Sequence, residues 1–162
     1  MNLVWRAAAV VVVAATAACG SPAPTCGPSS GVVARVIDGD TIDLASGERV
    51  RYLLIDTPES TNGATDCYGV NAAQANHDLV LGKTVDLVYD DAQCTDRFGR
   101  LLAYVSVDGV EVNSLLVERG YACFLYIPPA GTDRELEFEN LELAARTSGR
   151  GMWSACAVVT CD

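Results

Sequence analysis

Short runs of alternating apolar and polar residues follow one another in the first half of the chain and predict β-strands. Val32–Ile37 and Thr41–Leu44 flank Asp38-Gly39-Asp40, and an Asp-Gly pair favours a tight hairpin turn. A third strand, Arg49–Ile55, follows a Ser-Gly turn. The same pattern predicts a fourth and a fifth strand further along the chain, at Thr84–Tyr89 and Leu101–Val107.

Three other segments carry apolar residues at helical spacing. Asn71–Leu81 and Val112–Arg119 are each followed by a glycine, and Thr132–Arg146 is a longer helix with Thr132 as its predicted N-cap. Five strands with a helix between the third and the fourth is the element order of an OB-fold. We therefore predict an α+β domain, a five-stranded OB-fold β-barrel with three helices, although element order alone also fits other small α+β folds.

Residues 1–18 have the character of a signal peptide. A single positive charge at Arg6 precedes the apolar run Ala7–Ala15, which is too short to span a bilayer as a permanent helix. Small residues then lead into Cys19 and resemble a bacterial lipobox, so we expect an exported lipoprotein held in the cell membrane by a lipid on Cys19 and facing outward. Cleavage after Ala17 would instead give a secreted protein.

Residues 19–31 are rich in proline, serine and glycine and predict a tether between Cys19 and a domain over residues 32–162. The chain has seven cysteines, which in an exported protein indicate disulfides. If Cys19 carries lipid, six remain for three disulfides whose pairing the sequence leaves open. The only histidine, His77, is expected on a helix surface and cannot complete a zinc site. The six are Cys26, Cys67, Cys94, Cys123, Cys156 and Cys161.

The chain is acidic, with 21 Asp and Glu against 11 Lys and Arg. Removal of residues 1–18 would take away one arginine and leave 21 acidic against 10 basic side chains, a net charge of −11. Such a protein repels polyanions at long range. We therefore expect any nucleic-acid substrate to be captured weakly and in a salt-sensitive way.

The stretch VRYLLIDTPES, residues 50–60, places Arg51 within a strand whose two faces both look buried. Taken alone, Arg51 indicates a structural ion pair, and Asp56 and Glu59 are ordinary turn residues. Asp40 leaves the first hairpin and Asp56 ends the third strand, and in an antiparallel meander these positions meet at one rim of the sheet. The two carboxylates and the Thr57 carbonyl then make an all-oxygen site suited to Ca²⁺.

Arg51 and Arg100 add two permanent positive charges opposite these acids. A divalent cation, two arginines and a further carboxylate are what phosphoryl transfer requires, because charge grows on the phosphate oxygens while a carboxylate handles the attacking water.

The chain resembles the staphylococcal nuclease-like, or thermonuclease, family, and the likeness covers nearly the whole domain. The matching motifs, in order, are VIDGDTIDL (36–44), VRYLLIDTPE (50–59), CYGVNAAQ (67–74), TDRFGRLLAYV (95–105), VNSLLVERGYA (112–122) and GRGMWSAC (149–156).

The resemblance implies a calcium-dependent phosphodiesterase that cleaves DNA and RNA and leaves 3′-phosphates. Asp40, Asp56 and the Thr57 carbonyl match calcium ligands, with Asp38 behind them. The residues that match catalytic positions are Arg51, Arg100 and Glu59.

A substrate pocket is expected around Arg97, Tyr126 and Lys83. Phe98 stands where many family members have tyrosine, and the second tyrosine of the nucleotide pocket has no clear counterpart here. We expect a monomer. The alternatives are a nuclease-like module that only binds nucleic acid or a protein partner at the cell surface, and a metal-stabilised surface domain without catalysis.

Overall fold

The computed structural model describes residues 26–60 and 65–161. Strands occupy β1 (Ser30–Val36), β2 (Thr41–Leu44), β3 (Arg49–Tyr52), β4 (Ile55–Asp56), β5 (Thr84–Tyr89), β6 (Leu101–Val107), β7 (Val110–Glu111) and β8 (Cys123–Phe124). Helices occupy α1 (Gly69–Val80), α2 (Val112–Glu118), α3 (Glu135–Thr147) and the short α4 (Met152–Ala155), and a 3-10 turn, Thr132–Arg134, precedes α3.

Five strands close into a barrel. Antiparallel neighbours run in the order β3-β2-β1-β5-β6, and β3 then pairs in parallel with β6, with Val50 opposite Leu101. This closure, with α1 lying between the third and fourth barrel strands in sequence, confirms the predicted five-stranded OB-fold barrel with three main helices. The short β7 pairs antiparallel with the end of β6, and β4 pairs with β8 in a separate two-stranded sheet.

The core fills the barrel and continues under the helices. Inward positions of the barrel strands, such as Ile42, Val50 and Val105, are fully buried, as the alternation predicts. Leu116 of α2 and Phe138 of α3 are also fully buried and belong to the same apolar cluster. One continuous core therefore supports both the barrel and the loops that leave its rim.

The predicted third strand is wrong in its second half. The strand stops at Tyr52, the chain turns at Leu53 and Leu54, and Leu54 has φ 62°. Both leucines are buried, so the turn lies inside the protein and its polar backbone needs partners. The buried Asn113 supplies one by donating from its amide to the Leu53 carbonyl at 3.0 Å.

The helix boundaries also differ from prediction. The α3 helix begins at Glu135, and the Thr132 hydroxyl donates to the Pro129 carbonyl at 2.8 Å instead of capping the helix. Thr132 is the first residue of the preceding 3-10 turn, and its carbonyl accepts a hydrogen bond from the Glu135 backbone N–H within that turn. In contrast, β2, β5 and β6 have the predicted bounds.

All six cysteines outside the N-terminal segment form disulfides. The pairs are Cys26–Cys94, Cys67–Cys156 and Cys123–Cys161. The last two tie the C-terminal tail to the body, and the first joins residue 26 to the loop before β6.

The start of the described chain packs on the barrel. The Tyr89 hydroxyl donates to the Pro28 carbonyl at 2.7 Å, and β1 takes in Ser30 and Gly31, which composition assigns to the tether. The predicted signal peptide and Cys19 lie outside the described residues. His77 is exposed on α1, as predicted. Within the described ranges, every helix is too short or too polar to cross a membrane.

Candidate active site

A polar cavity of about 140 Å³ opens at the rim of the barrel where β2, β3 and β4 meet. It brings together every residue to which sequence reasoning gave a metal-binding or catalytic role. Its lining consists of Asp38, Asp40, Arg51, Asp56, Thr57, Pro58, Glu59 and Arg100.

Arg51 lies at the centre of this cavity and connects two carboxylates. Its Nε lies 3.2 Å from Asp40 Oδ1, and its Nη2 donates to Asp56 Oδ1 at 2.8 Å. Its Nη1 donates to the carbonyls of Tyr52 and Ile55, on either side of the turn at residues 53 and 54. Only 12% of the side chain is exposed, so the guanidinium is held in one orientation. Because the strand breaks at residues 53 and 54, the carbonyls of Tyr52 and Ile55 both face the Arg51 guanidinium.

Asp40 joins the first hairpin to the end of β4. Its Oδ2 accepts bonds from the Thr57 backbone N–H at 2.9 Å and from the Thr57 hydroxyl at 3.0 Å. Its Oδ1 accepts from the Thr41 hydroxyl at 3.0 Å. The close packing extends to Gly39, because a Cβ atom there would lie 2.6 Å from the Thr57 methyl carbon. The DGDT sequence therefore supplies the Asp40 carboxylate, and its glycine leaves space for the Thr57 side chain.

Negative charge is concentrated at this rim. Burial, followed by the charge of neighbouring Asp40, raises the pKa of Asp38 to about 7. Behind it, the fully buried Asn76 donates to the Asp38 carbonyl at 3.0 Å and accepts from the Tyr52 hydroxyl at 2.9 Å. This bond from α1 fixes the hairpin that carries both acids.

Arg100 reaches the cavity from the opposite loop. Its Nε donates to Asp96 Oδ2 at 2.6 Å, while Asp96 Oδ1 accepts from the Arg100 backbone N–H at 2.9 Å. Gly99, at φ 79°, makes the tight turn between them. Sequence reasoning missed Asp96 as the residue that orients Arg100, although the spacing of the two in TDRFGR was a usable signal.

Glu59 follows Pro58 on the loop after β4. Its backbone carbonyl accepts from Asp66 N–H at 2.9 Å, and its own N–H lies 3.3 Å from Asp66 Oδ2. The first residue of α1, Gly69, packs against this loop so closely that a Cβ atom would lie 2.2 Å from the Glu59 carbonyl oxygen. The helix start thus positions the loop that presents Glu59.

The expected substrate-pocket residues lie outside this cavity. Lys83 follows α1, with its Nζ 3.5 Å from the Asp78 carbonyl, and the Tyr126 hydroxyl bonds to Thr132 at 2.7 Å. The Arg97 guanidinium lies 4.7 Å from the centre of the Phe98 ring.

A second, mainly apolar pocket of about 110 Å³ adjoins the cavity and shares Arg51 and Arg100 with it. Leu125 and Ile127 form part of its wall, and sequence reasoning did not find them. Their apolar side chains carry no chemical signature beyond that of an ordinary core segment.

Oxygen ligands for a hard cation are present. Asp40 and Asp56 present carboxylates to one cavity, and Arg51 pairs with both. Among the residues that the structure describes, no group of three or more His, Cys, Asp and Glu side chains is arranged to hold a metal by itself. A calcium ion prefers six to eight oxygens, so backbone carbonyls, water and substrate would have to complete its coordination. The donor set fits calcium and not a soft metal.

Comparison with known proteins agrees with this architecture. Residues 49–155 match a family described as staphylococcal nuclease homologue. The chain is 37% identical over 131 residues to SPbeta prophage-derived endonuclease YokF of Bacillus subtilis (strain 168), across 78% of this chain and 44% of that protein. Endonuclease YncB of the same organism is 37% identical over 131 residues, across 78% and 62%. An uncharacterized endonuclease of Escherichia coli O157:H7 is 37% identical over 133 residues, 80% of each chain.

The matched region therefore spans less than two thirds of either Bacillus subtilis relative. The family match itself covers residues on both sides of the cavity, from Arg49 in β3 to Ala155 in α4, and so takes in Arg51, Glu59 and Arg100. The chain belongs to the staphylococcal nuclease homologue family.

Proposed function

We propose that this protein is a calcium-dependent endonuclease that hydrolyses phosphodiester bonds in DNA and RNA and leaves 3′-phosphate ends. The observation that carries the proposal is that one polar cavity is lined by the Asp40 and Asp56 carboxylates, two arginines and Glu59. The endonuclease names of relatives that are 37% identical support the same reaction class.

Calcium would be held by Asp40 and Asp56, with the Thr57 carbonyl as a third ligand implied by the family resemblance. When bound, it would supply positive charge next to the scissile phosphate. The buried position of Asp40 and its two bonds to Thr57 keep its carboxylate in place before substrate arrives.

Arg51 and Arg100 would bind the phosphate oxygens from two sides. Guanidinium groups present paired donors that match phosphate geometry, and both side chains are already oriented by carboxylates. Glu59 lines the same cavity and would accept hydrogen bonds from the attacking water and orient it. The water oxygen then bonds to phosphorus as the bond to the 5′ oxygen breaks, and the proton that water gives up is matched by one taken up at the 5′ oxygen, so the products are a 3′-phosphate and a 5′-hydroxyl.

The test is cleavage of single-stranded DNA and of RNA by oxidised protein in millimolar calcium and in chelator. We expect products with 3′-phosphates in calcium and intact strands in chelator, because the two carboxylates require a cation to bring a phosphate between them. Equal cleavage in both conditions, or none in either, would contradict the metal mechanism.

The acidic surface favours one competing function. With a net charge of −10 the chain repels polyanions at long range, so a module that binds only a protein partner at the cell surface is the second candidate. This second candidate predicts that the protein neither cleaves nucleic acid in calcium nor binds oligonucleotides, whereas the proposed nuclease should do both.

Export and lipid anchoring form a separate proposal. The three disulfides support an oxidising compartment, and they use every cysteine except Cys19. We expect native protein from membranes to carry a diacylglycerol mass on Cys19 and no free thiol. Cys19→Ala should release the protein or block its maturation, with Ser21→Ala as a control nearby. An unmodified, soluble chain that begins near Cys19 would instead indicate plain secretion.

A further inference from the structure

A second polar concavity, an open groove of about 620 Å³, lies beside the active-site cavity on the outside of the barrel. Arg100 lines both the groove and the cavity, so the two are adjacent. The groove residues are Arg35, Asp43, Gly47, Arg49, Phe98, Gly99 and Arg100.

One wall of the groove is a row of charged side chains across three strands. Arg35 of β1 pairs with Asp43 of β2, and Asp43 pairs with Arg49 of β3 in the strand register. The Asp43 carboxylate accepts from Arg35 Nε at 3.0 Å and from Arg49 Nε at 2.7 Å. One acid thus serves two arginines, and the row retains a positive charge.

Both arginines remain accessible. Their side chains are 64% and 45% exposed, while Asp43 is 17% exposed. The acid therefore lies beneath the two guanidiniums and holds them at the surface, where their outer donors can reach a phosphate.

The other wall is an exposed aromatic ring. Phe98 is 68% exposed, and the guanidiniums of Arg97 and Arg100 lie 4.7 Å and 5.5 Å from its ring centre. An exposed phenyl ring contributes nothing to the core, but between cations it makes a platform on which an unpaired base can stack.

The distribution of charge over the molecule sets this region apart. The part of the chain that the structure describes contains ten Lys and Arg, the eleventh being Arg6. Five of the ten belong to the cavity, the groove or the Phe98 platform, where the lining holds an equal number of the chain's 21 acids, so this region is close to neutral while the rest of the chain is strongly acidic. A strand repelled elsewhere would therefore find its favourable path here. The five are Arg35, Arg49, Arg51, Arg97 and Arg100.

We propose that the groove is an extended binding site for single-stranded nucleic acid. A strand held in the cavity passes Arg100, stacks one base on Phe98 and places phosphates on Arg35 and Arg49. The proposal rests on the proposed function of the cavity, and it adds a contact surface outside the cavity, formed by Arg35 and Arg49.

Binding in chelator separates this proposal from catalysis. The probe is a fluorescent single-stranded oligonucleotide of about ten nucleotides, within the size range of single-strand sites on OB-folds, and anisotropy reports its affinity. The test variant is Arg35→Gln/Arg49→Gln. The matched control is Arg119→Gln/Arg146→Gln, which removes the same charge from the residue after α2 and from α3, outside the groove.

We expect the groove variant to bind the oligonucleotide at least about tenfold more weakly than the control, because the variant loses two guanidiniums that donate charged hydrogen bonds to phosphate. The slope of log affinity against log salt should fall by about 1.4, or about 0.7 for each phosphate of a single strand that the variant no longer neutralises. Phe98→Leu should weaken binding about fivefold or more with an unchanged salt slope. Asp43→Asn should tighten binding, because it removes the negative charge that offsets the two arginines.

Equal weakening in the groove and control variants, or no binding by the wild-type protein, would overturn the proposal. Cleavage provides the second readout: the groove variant should lose activity on long strands and keep it on a dinucleotide. If the wild-type protein binds the oligonucleotide through these arginines but cleaves nothing in calcium, the groove stands and the proposed nuclease function fails.

Discussion

Replacing Arg51 with lysine is expected to lower the turnover of phosphodiester cleavage at least about 100-fold, the effect of removing one preorganised donor from a transition state. Arg51 connects Asp40 and Asp56 with two different nitrogens and fixes the turn at residues 53 and 54 with a third. Lysine keeps the charge but presents a single nitrogen, so it cannot make this set of bonds or offer a paired contact to phosphate.

The same decrease is expected for Arg100→Lys, which removes the Nε donor to Asp96 together with the guanidinium fork. Rates in saturating substrate measure the effect, and thermal melting shows whether each variant is folded. Arg119→Lys on the α2 end is the matched control and should retain wild-type turnover. If turnover stays within about threefold of wild type in both site variants, with the control unchanged, the result would contradict the catalytic roles of the two arginines and favour a module that only binds its partner.

Local patterns in the sequence predicted most of the scaffold, because each barrel strand has one face in the core. The predicted bounds of Thr84–Tyr89 and Leu101–Val107 match the observed strands residue for residue. The site was also readable from the chain. An arginine in an apolar strand requires acidic partners, and the DGDT and DTPE sequences supplied them at the ends of elements that meet at one rim.

The turn at Leu53 and Leu54 could not be predicted from that pattern. Both leucines are apolar and buried, so they read as a continuation of the strand. A tertiary contact accompanies the end of the strand. Asn113, far along the chain, donates to the Leu53 carbonyl and takes the place of a strand partner. Propensity within a short window contains no information about such a contact.

The groove was equally hidden. Arg35, Asp43 and Arg49 look like ordinary surface charges in sequence, and only the strand register brings them into one row. The disulfide pairing depends in the same way on which loops the closed barrel places together, as Cys26 and Cys94 illustrate.

The central claim is that this cavity holds calcium through Asp40 and Asp56 while Glu59 acts on water. Asp40→Asn removes a charged ligand, although the amide oxygen can still accept a bond from Thr57. Glu59→Gln leaves both proposed ligands intact. The two variants should therefore separate metal binding from chemistry, and Asp56→Asn provides a second ligand variant if Asp40→Asn does not fold.

Calcium titration by calorimetry of folded, oxidised wild-type, Asp40→Asn and Glu59→Gln proteins tests this claim most directly. We expect the calcium affinity of Asp40→Asn to fall at least about tenfold, because affinity follows the number of charged ligands. Glu59→Gln should bind calcium within about threefold of the wild-type affinity, since it removes none of those ligands, while its cleavage rate falls about 100-fold or more, as expected when a catalytic carboxylate is removed. Equal calcium affinity in all three proteins, or loss of binding in Glu59→Gln alone, would contradict the assignment of the cavity.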